Sequence, residues 1–324
     1  MRNISTAIVT GGAGFIGSHI VDQLLKKNIE TFVLDNFSTG SMENLVQNKN
    51  NKLLHIRSGD IENISELFSD IKGVDAIFHE AAIASVPKSV AEPVFVHNVN
   101  VNSTLKVLNF CVKEKVKRLV FASSSAVYGL IRNPPAVETL PCAPCSPYGA
   151  SKMAVEDYLN AYHSSYGLDT VALRYFNVFG PRQKMNDYSG VITVFINSLL
   201  RRRNPTIFGD GLQTRDFVHV RDVVQANMLA MESDASVGEV FNVASGTPVT
   251  VLELFELIKD ATQAVDANPQ FAEPRLGDAR VGIASIDKIK ERLGYDPRVR
   301  LAEGLSELVD DITKKTEENL LYTH

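Results

Sequence analysis

Cysteine is scarce in this chain. Three in 324 residues cannot build a disulfide framework. Cys142 and Cys145 form a Cys-x-x-Cys pair in a proline-rich loop, with no second pair and no histidine nearby. A structural zinc site needs four ligands, so no metal is expected and the two thiols read as incidental to the loop. Long apolar runs are missing too, and no stretch is long enough to span a bilayer. No charged-then-apolar leader precedes the first strand-like run, Ala7-Ile8-Val9, so the expected compartment is the cytoplasm. There is no surplus of positive charge. The net charge is -5 with 22% charged residues, which gives nucleic acid or an anionic membrane nothing to bind. The Arg201-Arg202-Arg203 run is short and fits the solvated end of a helix.

What is present is apolar content of 44%, enough for a large core and for two domains or one with an appended lobe. Strand-like and helix-like segments alternate: strand 7–10, helix 14–27, strands at 31–35 and 53–57, and a helix over 61–68. Then come strand 76–78, a long helix over about 96–114, strand 118–122, helix 148–166 and strand 170–174. Short apolar runs between amphipathic helices predict an α/β fold with a doubly wound parallel sheet covered on both faces. After about residue 180, closely spaced Gly and Pro predict a smaller α/β lobe that shapes a pocket. The expected division is a first domain over 1–180, with the chain returning to it near 215–245, and a lobe formed mainly by 181–324.

Thr10-Gly11-Gly12-Ala13-Gly14-Phe15-Ile16-Gly17 follows the first strand and opens the first helix. Gly11 suits a tight turn, Gly14 lets the backbone approach a pyrophosphate, and Gly17 lets helix and strand pack closely. The N–H groups of Phe15 and Ile16 belong to a helix N-terminus that attracts phosphate. Asp35 ends the second strand eighteen residues after Gly17. Its carboxylate suits the hydroxyls of an adenosine ribose and repels a 2′-phosphate. The following Asn36-Phe37-Ser38 offers no cation to accept one, so the expected cofactor is NAD. Asp60 and Ile61 follow the third strand, where an adenine edge belongs, and the small Ala81 and Ala82 follow the fourth. Tyr148 and Lys152 stand four apart on one helix face. An ammonium beside a phenol favours the phenolate, lowering its pKa from about 10 toward the range of a general base.

Taken with His79-Glu80-Ala81-Ala82, Ser123-Ser124-Ser125-Ala126-Val127-Tyr128-Gly129 and Arg174-Tyr175-Phe176-Asn177, these motifs resemble the extended short-chain dehydrogenase/reductase family over nearly the whole chain. Within it they are most similar to the UDP-glucose 4-epimerase group. The resemblance implies a Rossmann-type first domain and a catalytic trio of Ser124, Tyr148 and Lys152. Counting back from Tyr128-Gly129 selects Ser124 among three serines, with Ser125 as the alternative. The family's 4,6-dehydratases carry an Asp-Glu pair after this slot, and its decarboxylases a Glu in the second position. Here the slots hold Ser125 and Ala126, which removes the groups those reactions use.

On the substrate side the resemblance implies that Ser124 and Ser125 face the sugar and Asn177 the diphosphate or sugar. Val191 and Ile192 open a helix toward the nucleotide. Thr206 and Phe208 lie beside the uracil, Arg215 and Arg275 bind the diphosphate, and Asp278 meets the uridine ribose. A position that narrows the sugar pocket when it is Tyr is Gly282 here, so room for a 2-acetamido group is expected. Ala84 replaces a lysine found in some epimerases, and the run 84–89 looks more like enzymes acting on acetamido sugars. UDP-glucuronate stays open, because Arg280 suits a carboxylate. A homodimer is expected through helices near 100–114 and 148–166. His219 reads as structural. A non-catalytic NAD-binding scaffold is the remote alternative, though such a protein typically lacks the Tyr or the Lys.

Overall fold

The structure is a computed structural model that describes residues 4–184, 190–274 and 280–321, without the side chains of 318–321. Thirteen strands are formed among the described residues. In chain order these are β1 (Thr6–Thr10), β2 (Glu30–Asp35), β3 (Leu54–Ser58), β4 (Ala76–His79), β5 (Arg118–Ser124), β6 (Asp169–Tyr175), β7 (Asn177–Phe179), β8 (Thr206–Phe208), β9 (Thr214–His219), β10 (Glu239–Val243), β11 (Pro248–Thr250), β12 (Gln270–Ala272) and β13 (Val281–Gly282). Seven make one parallel sheet in the order β10-β6-β5-β4-β1-β2-β3. From β1 the chain winds outward through β2 and β3, then starts again at β4 and winds the other way. Ligands bind at such a reversal, outside the C-terminal strand ends, so the crevice between β1 and β4 is the place to look.

Both faces of the sheet are buried, which is why its strands read as continuous apolar runs. Side chains alternate across the sheet. Ala7 and Val9 join a cluster with Ile20, Val21 and Leu24 of the Phe15–Lys26 helix and with Val223 of the Val220–Glu232 helix. Ile8 joins the opposite cluster, with Leu108 of the Ser103–Lys113 helix and Val155 and Leu159 of the Pro147–Tyr166 helix. Each fully buried side chain of this kind contributes about 1.5–3 kcal/mol. A third cluster, including Phe195, Ile207, Phe255 and Leu308, fills the lobe. There β9 pairs antiparallel with β11 and parallel with β13 and β7, while β8 and β12 form a separate parallel pair.

The expected fold class is met, and several element boundaries differ. The segment expected as helix 61–68 is a 3₁₀ turn, Ile61–Asn63, followed by one helical turn, Ile64–Leu67. The long helix expected from about 96 begins at Pro93, whose missing N–H is harmless in a first helical turn. It then passes through a π-helical segment, Asn98–Asn102, before Ser103–Lys113. The side chain of Asn100, inside that segment, has partners outside the helix: it accepts from Ile83 N at 2.8 Å and donates to Ile83 O at 3.2 Å and Ser151 Oγ at 3.0 Å. The last helix runs Leu301–Leu321, past the expected end near 317.

Candidate active site

The Gly-rich turn is held against the fourth strand. Gly11 has φ +67°, and a Cβ there would lie 2.8 Å from Ala81 N. A Cβ on Gly17 would lie 2.3 Å from Gly11 O, so helix and turn meet at a distance only glycine allows. Gly14 caps the Phe15–Lys26 helix without a side-chain hydrogen bond, which leaves the first-turn N–H groups of Phe15, Ile16 and Gly17 to face the crevice mouth. Asp35 accepts from Ala13 N at 2.9 Å and Phe37 N at 2.8 Å. Burial nevertheless raises its pKa, opposed by those two bonds and by the charge of Lys184. Asn36 donates to Asp60 at 3.1 Å, and Asp60 caps the turn that begins at Ile61. Ala81 and Ala82 follow β4 as expected.

Below this corner lies a buried polar network. His79 bridges Thr10 at 2.7 Å and Thr104 at 2.8 Å, and burial holds its pKa at about 3, so it is neutral. Glu80 accepts from Tyr175 Oη at 2.9 Å, and Asn227 donates to the same hydroxyl at 2.8 Å. Burial pushes the Glu80 carboxyl up to about 7, against the pull of Tyr175 and Lys152. Arg174 donates to both oxygens of Glu156, with a closest approach of 2.6 Å. Ser123 hydrogen-bonds the same carboxylate, which turns its hydroxyl into this buried pair.

Ser124, Tyr148 and Lys152 converge at the end of β5. Ser146 Oγ caps the Pro147–Tyr166 helix by accepting from Gly149 N at 3.1 Å, and Pro147 occupies its first turn. That start sets Tyr148 within hydrogen-bonding reach of the Ser124 side chain, a contact that lowers the phenol pKa. Ser124 Oγ also accepts from Ala126 N at 3.2 Å, so it serves as a turn cap as well. Ser125 lies half-buried in the turn that Ser124 caps.

Lys152 departs from the expectation. Its ammonium donates to Ala122 O at 2.6 Å and sits 6.0 Å from the centroid of the Tyr148 ring. Burial brings the lysine down to about 8 even though Glu80 and Glu156 pull it up. Burial also raises Tyr148 despite the Ser124 bond, and the Glu80 charge adds to the rise. The phenol is therefore not lowered in this structure: the cost of burying a phenolate exceeds what a cation engaged elsewhere returns.

The lobe side of the crevice contains a cavity of about 460 Å³, lined among others by Asn177, Val191, Thr206, Phe208 and Arg215. Five residues expected from scattered motifs thus share one cavity. Asn177 Nδ2 donates to Asp216 O at 2.8 Å and Arg215 to Thr214 O at 2.8 Å. Ile192 is the exception: its side chain is buried in the lobe core, so only its backbone is left to face a ligand. Gly282 pairs with Arg215 in the lobe sheet, and a Cβ there would lie 3.3 Å from Arg215 Cδ. Arg280 is held by Asp210 at 2.8 Å. Arg275 and Asp278 lie outside the described residues. His219 ends β9, buried, with its pKa at about 3 and its ring edge-on to Phe179. Its Nδ1 accepts from Arg221 N at 3.2 Å, while Nε2 faces Glu307 at 3.6 Å without a hydrogen bond. Its burial fits the expected structural reading, but a satisfied histidine is not what is found, since Nε2 lacks a hydrogen-bond partner.

The sequence motifs gave no role to Asn100, Glu80, Tyr175 or Glu156, which pack around the trio. Nor did they find a cation at the ribose corner, yet Lys184 donates to Gly40 O at 3.2 Å from 144 positions away. Among the described residues no cluster of His, Cys, Asp and Glu could hold a metal, and no helix is long and apolar enough to cross a membrane.

The chain is similar to proteins of known name. It is 39% identical over 313 residues to the UDP-glucose 4-epimerase of Mycolicibacterium smegmatis, covering 96% of this chain and 99% of that one. Its structure is similar to that of a UDP-N-acetylglucosamine 4-epimerase from Methanobrevibacter ruminantium M1 in complex with UDP-N-acetylmuramic acid. The TM-score is 0.90 at 41% identity, covering 97% of this chain and 100% of the other. It is also similar to the Thermus thermophilus UDP-glucose 4-epimerase in complex with NAD, at TM-score 0.85 and 37% identity, covering 95% and 99%. The Gly11–Gly17 turn, the free helix N-terminus and Asp35 fit NAD as a cofactor. Residues 7–244 match the NAD dependent epimerase/dehydratase family, and the chain belongs to that family.

Proposed function

We propose that this protein is a UDP-hexose 4-epimerase that inverts C4 through a 4-keto sugar and accepts both UDP-Glc/UDP-Gal and UDP-GlcNAc/UDP-GalNAc. The observation that carries this reading is the meeting of Ser124, Tyr148 and Lys152 with no acid in the two positions after Ser124. A trio of this kind moves one proton at the 4-hydroxyl, whereas loss of water or carboxylate needs further proton-transfer groups.

In this mechanism Asn177 and Arg215 bind the diphosphate end, since a guanidinium fork suits phosphate oxygens. The same cavity takes the uridine against Val191, Thr206 and Phe208. Ser124 holds the 4-hydroxyl, and Tyr148 takes its proton directly or through Ser124. Held at the Gly11–Gly17 turn and Asp35, NAD would supply the hydride acceptor and donor for C4, with the keto sugar turning over between the two transfers, and would bring a positive charge into the site. Lys152 adds its own charge at the floor, and Tyr148 gives the proton back. The cycle is redox-neutral, so the protein retains its NAD between turnovers.

Gly282 supports the wider sugar range. It carries no side chain where a larger residue would narrow the sugar pocket, and even a Cβ there would crowd Arg215 Cδ at 3.3 Å. Gly282→Tyr is expected to lower kcat/KM for UDP-GlcNAc about tenfold or more while leaving UDP-Glc within a few-fold. Equal activity on both sugars in that variant would remove the specificity reading. UDP-glucuronate is less well supported, because Arg280 is already paired with Asp210.

The decisive experiment incubates the purified protein, with no added cofactor, with UDP-Glc, UDP-GlcNAc and UDP-glucuronate in turn. Interconversion at C4 without added NAD is the expected result for the first two. A net change in NADH absorbance, or no interconversion of any sugar, would rule the reading out.

A further inference from the structure

The adenosine end of the dinucleotide site is closed by two pieces of chain far apart in sequence. The first is the loop after β2. Gly40 lies so close to Asp35 that a Cβ there would sit 2.9 Å from both carboxylate oxygens. Ser41 N donates to Ala13 O at 2.9 Å, and Asn44 Nδ2 donates to the same oxygen at 2.9 Å, so the loop is tied onto the Gly-rich turn.

The second piece is the strap 180–184, where the chain leaves β7. It crosses the Phe15–Lys26 helix and is anchored three times. His19 Nε2 meets Pro181 O at 3.0 Å. Arg182 Nη2 pairs with Asp22 at 2.7 Å, and Arg182 N donates to Asp311 at 3.1 Å. Asp22 is further held by Gln47 and Asn48, each at 2.6 Å. Anchored in this way, the strap delivers the Lys184 ammonium to Gly40 O at 3.2 Å, where its charge acts on the Asp35 carboxylate.

We propose that Lys184 is a cofactor-retaining residue: it holds the loop at Gly40 closed over the Asp35 corner and so slows release of the dinucleotide. This rests on the reading of Asp35 as the ribose-binding carboxylate of an NAD site. An exposed lysine on a loose loop gains little from one contact. Here the strap is fixed before the lysine is placed, so less side-chain and backbone freedom is lost in making the contact.

The test measures exchange of bound NAD for isotopically labelled NAD by mass spectrometry in the holoenzyme, for wild type, Lys184→Met and Lys184→Arg. Circular dichroism checks that all three are folded. Lys184→Met is expected to exchange about tenfold faster, since it loses the charge-assisted contact to Gly40 O. Lys184→Arg keeps the charge and is expected within a few-fold of wild type. Raising the salt concentration should speed exchange in wild type and narrow the gap to Lys184→Met, since the contact is partly exposed. A Lys184→Met protein that exchanges at the wild-type rate overturns the proposal and leaves the NAD site standing. A wild-type protein that binds no NAD overturns the site reading and the proposal with it.

Discussion

Ser124 Oγ accepts from Ala126 N and lies within reach of the Tyr148 phenol, and the proposed mechanism uses only the second. Ser124→Ala is therefore expected to lower kcat by about 10²-fold or more, the usual size of a lost proton-transfer contact. Ser125→Ala is expected to stay within a few-fold. The reverse order in steady-state assays would reassign the role to Ser125. Glu80 makes a second residue-scale case, because its charge raises both Tyr148 and Lys152. Glu80→Gln removes a negative charge, so the phenolate becomes easier to form and the ammonium easier to lose. Both limbs of the kcat/KM pH profile are then expected to move to lower pH. His79 stays neutral, and Glu156 keeps its ion pair with Arg174. An unmoved profile would mean that the Glu80 charge does not reach the trio.

The π-helical segment shows how an element is shaped by what it holds. Asn100 inside it closes three hydrogen bonds to Ile83 and Ser151, tying the loop after β4 to the helix that carries Tyr148 and Lys152. Asn100→Ala takes this partner from the N–H and C=O of Ile83, while Ser151 Oγ keeps its bond to Tyr148 O at 2.7 Å, and is expected to cost about 2 kcal/mol in denaturant unfolding. A loss below about 0.5 kcal/mol would show that the clamp is dispensable. This element also marks where the sequence stops being readable. The strands, the Gly11–Gly17 turn and the Tyr148/Lys152 spacing are local patterns, and they appear where the period and the turn residues place them. The π segment, the burial that lifts Tyr148 and Glu80, and the arrival of Lys184 at Gly40 all depend on partners 15 or more positions away in sequence. No window of residues displays them. Ile192 illustrates the same limit: its place at a helix start was legible, but which way its side chain turned was set by the lobe core.

At the scale of the whole molecule, a group of large apolar side chains on three adjoining helices is left exposed. Val90 is 64% exposed, Val94 72%, Phe95 44%, Tyr158 41% and Tyr166 61%. They belong to the helices Val86–Ala91, Pro93–His97 and Pro147–Tyr166, which pack against one another beside the trio. Single exposed apolar residues are ordinary, but a group on adjoining helices marks an interaction surface. A second copy of the chain can present the same helices about a two-fold axis, which covers both patches at once. The expected particle in sedimentation therefore has twice the 35.6 kDa of one chain. Replacing Val94 by Glu puts a charge in the middle of the patch, where desolvating it costs several kcal/mol. Val94→Glu is expected to shift the particle to one chain at micromolar concentration without loss of folded signal, because Val94 contributes little to the monomer's own core. Since the same Pro147–Tyr166 helix carries Tyr148 and Lys152, the separated chain is also expected to turn over more slowly. A wild-type protein that sediments as a single chain would leave this face for some other partner.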